Sequence, residues 1–237
     1  ELHTEPNISN CTIANNTANG IGYQTTYGGG LSVADYSSVN VKDSIIWDNQ
    51  AINGSQIAVT SLNPNMPSYL TVSYSNVLGG EAGVLKDISS TLVWDANTNL
   101  TGGANYSPLG SNPAFVTGLF GSYYLLQPTA VEPLAVNSLL VYPIGPNSPC
   151  VDKGSDMAEQ LGLSGRSTKI DNRGDVSQVD MGYHYPGINT SIVFTLTTSV
   201  IGGNGRIEPA SGLYYDGTGI GLHVPLTAIP ADKWRVK

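Results

Sequence analysis

Asn10-Cys11-Thr12-Ile13-Ala14-Asn15-Asn16 realigns with Asp43-Ser44-Ile45-Ile46-Trp47-Asp48-Asn49 about 33 residues further on. That stretch realigns in turn with Tyr74-Ser75-Asn76-Val77-Leu78-Gly79-Gly80 after about 31 more. Between these copies, Leu31-Ser32-Val33-Ala34 is echoed by Gln56-Ile57-Ala58-Val59-Thr60, with apolar residues alternating at period two. Gly/Asn/Ser corners such as Tyr27-Gly28-Gly29-Gly30 and Asn53-Gly54-Ser55 separate the short strands. Such strands cannot bury an apolar face alone. Stacking equivalent strands coil on coil puts Cys11, Ser44 and Ser75 in one interior column and Ile13, Ile46 and Val77 in another. Asn16 and Asn49 then fall at equivalent bends, where side-chain amides can bond along the stack. A parallel β-solenoid is the economical reading. A propeller needs more copies and recurrent aromatic signatures, which are absent.

The composition suits that reading. Of 237 residues only 12% are charged, while 40% are hydrophobic and Gly and Pro number 28 and 14. Exposed helical faces need Glu, Lys, Arg and Gln, which are scarce, so a mainly helical fold is excluded. The formal charge of −8 argues against nucleic acid and anionic membranes, which need clustered Lys and Arg. No apolar run reaches the length of a membrane span. Glu1 opens neither a basic nor an apolar leader region, so a processed chain or a piece of something longer is expected. Two cysteines, Cys11 and Cys150, exclude a disulfide-dense scaffold and a Cys-based zinc site, leaving a single bridge as an alternative to two free thiols. His3, His184 and His223 show no metal-binding spacing.

The stretches Asn10–Ile13, Gly29–Val33, Asp43–Asn49, Gly54–Val59 and Leu70–Val77 together resemble bacterial right-handed parallel β-helix repeat proteins of the cell surface. Ser111-Asn112-Pro113-Ala114-Phe115-Val116, Leu125-Leu126-Gln127-Pro128 and Ser148-Pro149-Cys150-Val151-Asp152 resemble the closing segment of the same proteins, departing from it by an insertion from Thr129 to Gly145. Asp171-Asn172-Arg173-Gly174-Asp175 and Val179-Asp180-Met181-Gly182-Tyr183-His184-Tyr185-Pro186 resemble their terminal signature. The resemblance implies that this segment caps an open solenoid end, with Cys150, Tyr183 and His184 as packed cap residues. From Gly187 the texture changes. Ile192–Val200 alternates strictly, and Gly202–Pro209, Tyr214–Gly217 and Leu222–Ala228 resemble a small InlB-type B-repeat, which would continue past Trp234–Lys237. The expected fold is therefore all-β: parallel β-helix coils over 1–110, a closing coil and irregular cap over 111–187, and a small, incomplete antiparallel β module over 188–237.

Candidate sites compete with plainer roles. Asp152, Asp171, Asp175 and Asp180 are the densest carboxylates. Asp171, Asp175 and Asp180 are weak Ca²⁺ candidates, yet no EF-hand or RTX spacing occurs, and loop caps explain them better. Otherwise no cofactor is expected. Arg173-Gly174-Asp175 is a bare RGD tripeptide inside the cap signature, which already explains its Gly and Asp. Several Asn-x-Ser/Thr sequons, at Asn7, Asn10, Asn15, Asn53, Asn99, Asn105 and Asn189, matter only where the source glycosylates. Polysaccharide lyases and hydrolases use β-helices, and they need paired carboxylates in a cleft. Asp43 and Asp48 flank one strand and, with Tyr36 and Tyr74, define a candidate glycan face; isolated surface carboxylates and stacked loop tyrosines are the plainer reading. The other tyrosines of that cluster are Tyr23, Tyr27 and Tyr69. Nothing in the sequence orients any histidine for a Ser-His-Asp set.

Two function classes follow. The first is a non-catalytic, structural or adhesive protein, extracellular or on the cell surface. A coil that begins without a cap and a module that stops short of a strand are complementary defects, so the chain either belongs to a longer surface protein or assembles head-to-tail into a filament. The second is a carbohydrate-active or carbohydrate-binding β-helix. The low charge disfavours an enzyme.

Overall fold

The computed structural model describes residues 5–20, 25–100, 111–127, 134–136, 139–141, 146–187, 192–196, 199, 205–208, 212–216 and 227–230. The chain forms two compact units, Glu1–Gly187 and Ile188–Lys237. The described residues up to 100 hold ten strands: β1 (Asn7–Ser9), β2 (Thr12–Ala14), β3 (Leu31–Ala34), β4 (Ser38–Lys42), β5 (Ile45–Trp47), β6 (Ile57–Thr60), β7 (Tyr69–Ser73), β8 (Asn76–Val77), β9 (Val84–Lys86) and β10 (Thr91–Trp94). They pair in parallel, each with the strand three places on, to give sheets β1-β4-β7-β10, β2-β5-β8 and β3-β6-β9.

Register follows the sequence offsets. Thr12 pairs with Ile45 and Ile45 with Asn76; Ile13 pairs with Ile46 and Ile46 with Val77. Alternation at period two sends Val39 and Val41, Ile46, Ile57 and Val59, Leu70 and Val72, and Val77 into one shared core, flanked by Ile8, Ile13, Leu31, Leu92 and Trp94. The column Val33–Val59 ends at Lys86, which is exposed and sends its Nζ to the carbonyls of Asp87 and Ser90. A lysine in register with buried valines stops that column.

The bends between strands repeat as faithfully as the strands. Asn10, Asp43 and Tyr74 take φ of 49°, 52° and 47°, and Asn15, Asp48 and Gly79 take 58°, 53° and 86°. Asn, Asp and Gly tolerate this left-handed region; Tyr74 carries the steric cost. Just after the first of these bends, each backbone N–H finds a side chain in the next repeat. Cys11 N donates to Ser44 Oγ at 3.2 Å, Ser44 N to Ser75 Oγ at 3.1 Å and Ser75 N to Asn99 Oδ1 at 3.0 Å. Ser44 and Ser75 hydroxyls donate in turn to Lys42 O and Ser73 O, both at 2.8 Å. Small hydroxyl residues are used because the column is buried and each N–H must be paired.

Asp87, in the loop after β9, fastens the loop after β6 in the preceding repeat. Its Oδ2 accepts from Ser61 N at 2.5 Å, and its Oδ1 from Ser90 N at 2.7 Å and Ser89 N at 3.1 Å. Burial works against ionisation, but the hydrogen bonds from Ser61, Ser90 and Ser89 outweigh it and bring the carboxyl down to about 2. A depressed carboxylate stabilises the fold above its unfolded value and loses that contribution as pH falls through the folded one. Acid titration of Asp87→Asn between about pH 4 and pH 2 should therefore show a shallower loss of stability than the parent chain. Equal slopes would refute the assignment.

Residues 111–187 belong to the same unit as the stack. They contribute the antiparallel hairpin β11 (Phe115–Gly118) and β12 (Gly121–Leu125), the pair β13 (Leu134–Val136) and β14 (Leu139–Val141), and the short pair β15 (Arg166–Ser167) and β16 (Tyr185–Pro186). In the second unit, β17 (Ile192–Leu196) pairs antiparallel with β19 (Gly212–Asp216), and β18 (Gly205–Glu208) with β20 (Thr227–Pro230). The stretch Trp234–Lys237 lies outside the described residues, as do Tyr23, His3, His223, Asn105, Asn189 and most of the insertion from Thr129 to Gly145.

Candidate functional site

The segment expected to close the end of the stack lies instead across its side. Ile45 and Trp47, which point away from the shared core, form a second core with Leu125, Cys150 and Met181, joined by Ala14, Leu78, Phe115 and Val151. Hydrogen bonds from the segment reach all three strands of β2-β5-β8 or their bends. Tyr183 N donates to Thr12 Oγ1 at 3.0 Å, Gly182 N to Asp43 O at 2.8 Å, and Asn76 Nδ2 to Ser111 O at 2.6 Å. Asn15 Nδ2 reaches Tyr123 Oη at 3.3 Å. The cause is the outward face of β5: two large apolar side chains there would otherwise meet water. Ile45-Ile46-Trp47, apolar on both faces, is the sequence signal of a strand covered on both sides.

Asp43 is thereby removed from any glycan face. It is 2% exposed, and its Oδ1 and Oδ2 accept from Ser155 N at 2.6 Å and Ser155 Oγ at 2.8 Å. Asp48 is exposed at the following bend. Tyr74 sits under Lys42, whose Nζ is 5.8 Å from the ring centroid, and Tyr36 is half-buried at its own left-handed bend. The four do not converge on a cleft: Asp43 is closed off, and the two tyrosines serve bends. Asn16 and Asn49 do join, with Asn16 Nδ2 and Asn16 N each 3.0 Å from Asn49 Oδ1. Cys11 and Cys150 are both free thiols. Cys150 is fully buried, accepts from Asn76 Nδ2 at 3.1 Å, and burial pushes its thiol up to about 12.

Ionisable groups converge inside the cover. Oxygens of Asp152, Asp175 and Asp180 lie within 4.8 Å of one another. Asp171, expected with them, instead faces Arg173 at 3.9 Å. Asp180 accepts from Asp152 N at 2.7 Å, Gln127 Nε2 at 3.0 Å and Thr168 Oγ1. Asp175 Oδ2 accepts from Asp180 N at 3.0 Å and lies 3.2 Å from His184 Nε2. His184 Nδ1 lies 3.0 Å from Gly182 O. Asp152 accepts from Ser177 Oγ. Burial, and then the neighbouring Asp175 charge, push Asp180 up to about 6.

Chemically this is an internal network. A Ca²⁺ ion takes six to eight oxygens; these three carboxylates already accept from protein donors, and Asp152 is the exposed member of the group, so a cation held here would draw its remaining ligands from elsewhere. Asp175 orients His184, a relation the sequence did not reveal because no periodic pattern links the two residues across the irregular loop between them. Both ring nitrogens are occupied and the side chain is 1% exposed, so it cannot reach a substrate proton. Asp175 is also 3% exposed, so the RGD tripeptide is not presented. Among the described residues no helix is long and apolar enough to cross a membrane. Comparison with protein-family models, curated proteins and solved structures finds no match to the chain.

Proposed function

We propose that the chain is a non-catalytic structural or adhesive part of an extracellular or cell-surface protein, built as a right-handed parallel β-helix. The observation that carries this reading is the parallel pairing among β1–β10, each strand with the one three places along, in three sheets around one core. The buried polar groups support it as well, since Asp43, Asp175, Asp180 and His184 are all bonded to protein partners. Self-association is the partner class this reading names first. β1 and β10 are the outer strands of their sheet, and a second copy could add a strand there to extend the stack head-to-tail.

The test pairs two measurements on the full chain. Electron microscopy at micromolar concentration should show particles that lengthen as concentration rises. Incubation with neutral and acidic polysaccharides should release no new reducing ends. Turnover that disappears in Asp48→Ala would overturn the non-catalytic reading, and particles of constant length would overturn the head-to-tail one.

A further inference from the structure

The cover holds a group of buried ionisable side chains. Asp175, Asp180 and His184 are 3%, 2% and 2% exposed, and an apolar filling would avoid the cost of desolvating them. Their position is informative. Asp180 alone ties together three stretches of the cover, through Gln127, Asp152 and Thr168, and it directly precedes Met181 and Gly182. Met181 N donates to Cys150 O at 3.0 Å within the cover, and Gly182 N to Asp43 O at 2.8 Å across to the stack, so the cluster sits directly behind the join between cover and stack.

We propose that Asp180, Asp175 and His184 form a proton-operated fastening that holds the 111–187 cover more tightly to the stack in mildly acid than in neutral surroundings. This goes beyond the structural role above and does not depend on it. The ionisable groups facing Asp180 are Asp175, His184, Asp152 and the Cys150 thiol; its other neighbours, Gln127 and Thr168, are neutral. Among the described residues no lysine or arginine forms an ion pair with it. With both carboxylates ionised, two buried negative charges share one imidazole. A proton on Asp180 removes one of them. The site accepts that proton without orphaning it, because the Thr168 hydroxyl donates to an ionised Asp180 and accepts from a protonated one.

The direction follows from linkage. Burial raises the folded Asp180 carboxyl to about 6, so its contribution is fully present below the unfolded value and is lost as pH rises through the folded one. Native-state hydrogen exchange at the Met181 and Gly182 amides reads this, once corrected for intrinsic rates. Opening should be about tenfold more frequent at about pH 7.5 than at about pH 5. In Asp180→Asn the two conditions should agree to within about twofold. Should that variant not fold, carbon-13 titration of the parent chain supplies the readout, with Asp180 expected to titrate near 6. A flat profile in the parent chain, an unchanged slope in Asp180→Asn, or an Asp180 midpoint near the ordinary value would overturn the proposal. So would closure of the gap at pH 7.5 by about 1 mM Ca²⁺, which would make the cluster a cation site.

Discussion

Asn49→Leu should lower the stability of the first unit by about 3–5 kcal/mol, enough to unfold a domain of ordinary stability in part. Asn49 is 2% exposed and uses its whole amide. Its oxygen accepts from Asn16 N and Nδ2, and its Nδ2 donates to Ile13 O at 2.9 Å and Gln56 Oε1 at 3.0 Å. Leucine is close in volume but takes the acceptor from the Asn16 N–H and a second donor from both the Ile13 carbonyl and Gln56 Oε1. Each such loss at a buried group costs about 1–3 kcal/mol, and the apolar gain of the leucine offsets only part of that. Gly30 leaves no room for readjustment, since a Cβ there would lie 2.7 Å from Asn49 Nδ2. Asn16→Ala is the control: Asn16 is exposed, so water replaces its partner and the cost should stay below about 1 kcal/mol. Urea midpoints of the two variants decide the matter. Similar small shifts in both would show that the amide ladder contributes nothing.

Gly182→Ala should cost about 2–5 kcal/mol, through two effects that add at one position. Gly182 has φ +96°, which an L side chain adopts only with strain. Its Cβ would also meet Ile45 Cδ1 at 2.8 Å and Thr12 Oγ1 at 2.9 Å. Relieving either clash pulls Tyr183 N from Thr12 and Gly182 N from Asp43, so the cover should loosen where it meets β2 and β5. Gly162→Ala isolates the backbone part, because Gly162 has φ +71° with nothing within 4 Å of an added Cβ. That change should cost only about 1–2 kcal/mol. Equal losses at the two positions would mean that the cover is not seated on Ile45. Near-ultraviolet dichroism of Trp47 and the tyrosine group provides a second readout. Tyr124 and Tyr185 stack at 4.1 Å beside Tyr183, and their packing depends on the same seat.

The two positions differ in how far they could be read from the residues. Asn49 follows from the repeat: once Asn16 and Asn49 share a bend, stacking places one amide on the other. Gly182 belongs to a stretch recognisable by resemblance, and that resemblance suggested a cap over an end. The side-on arrangement was visible only as a hint in Ile45-Ile46-Trp47. Asp43 shows the same limit. Its bend was legible from the repeat, but its partner Ser155 is 112 residues away, and no local pattern points to it.

By itself the sequence determined the repeat-bearing strands β2, β3, β5, β6 and β8, their parallel register and the inward columns, because alternation at period two and a repeat of nearly constant length are local properties. Offsets of about 33 and 31 residues leave one way to bury Ile13, Ile46 and Val77 together. Tertiary structure alone decided what happens outside the columns. It laid the stretches around Leu125, Cys150 and Met181 over β2-β5-β8, closed Asp43 away from solvent, replaced Asp171 by Asp152 in the acidic cluster and gave His184 an orienting carboxylate. These contacts join residues brought together by loops of no fixed period. Burial, which sets both the cost of a charge and the side chain that must answer it, exists only once the chain has folded.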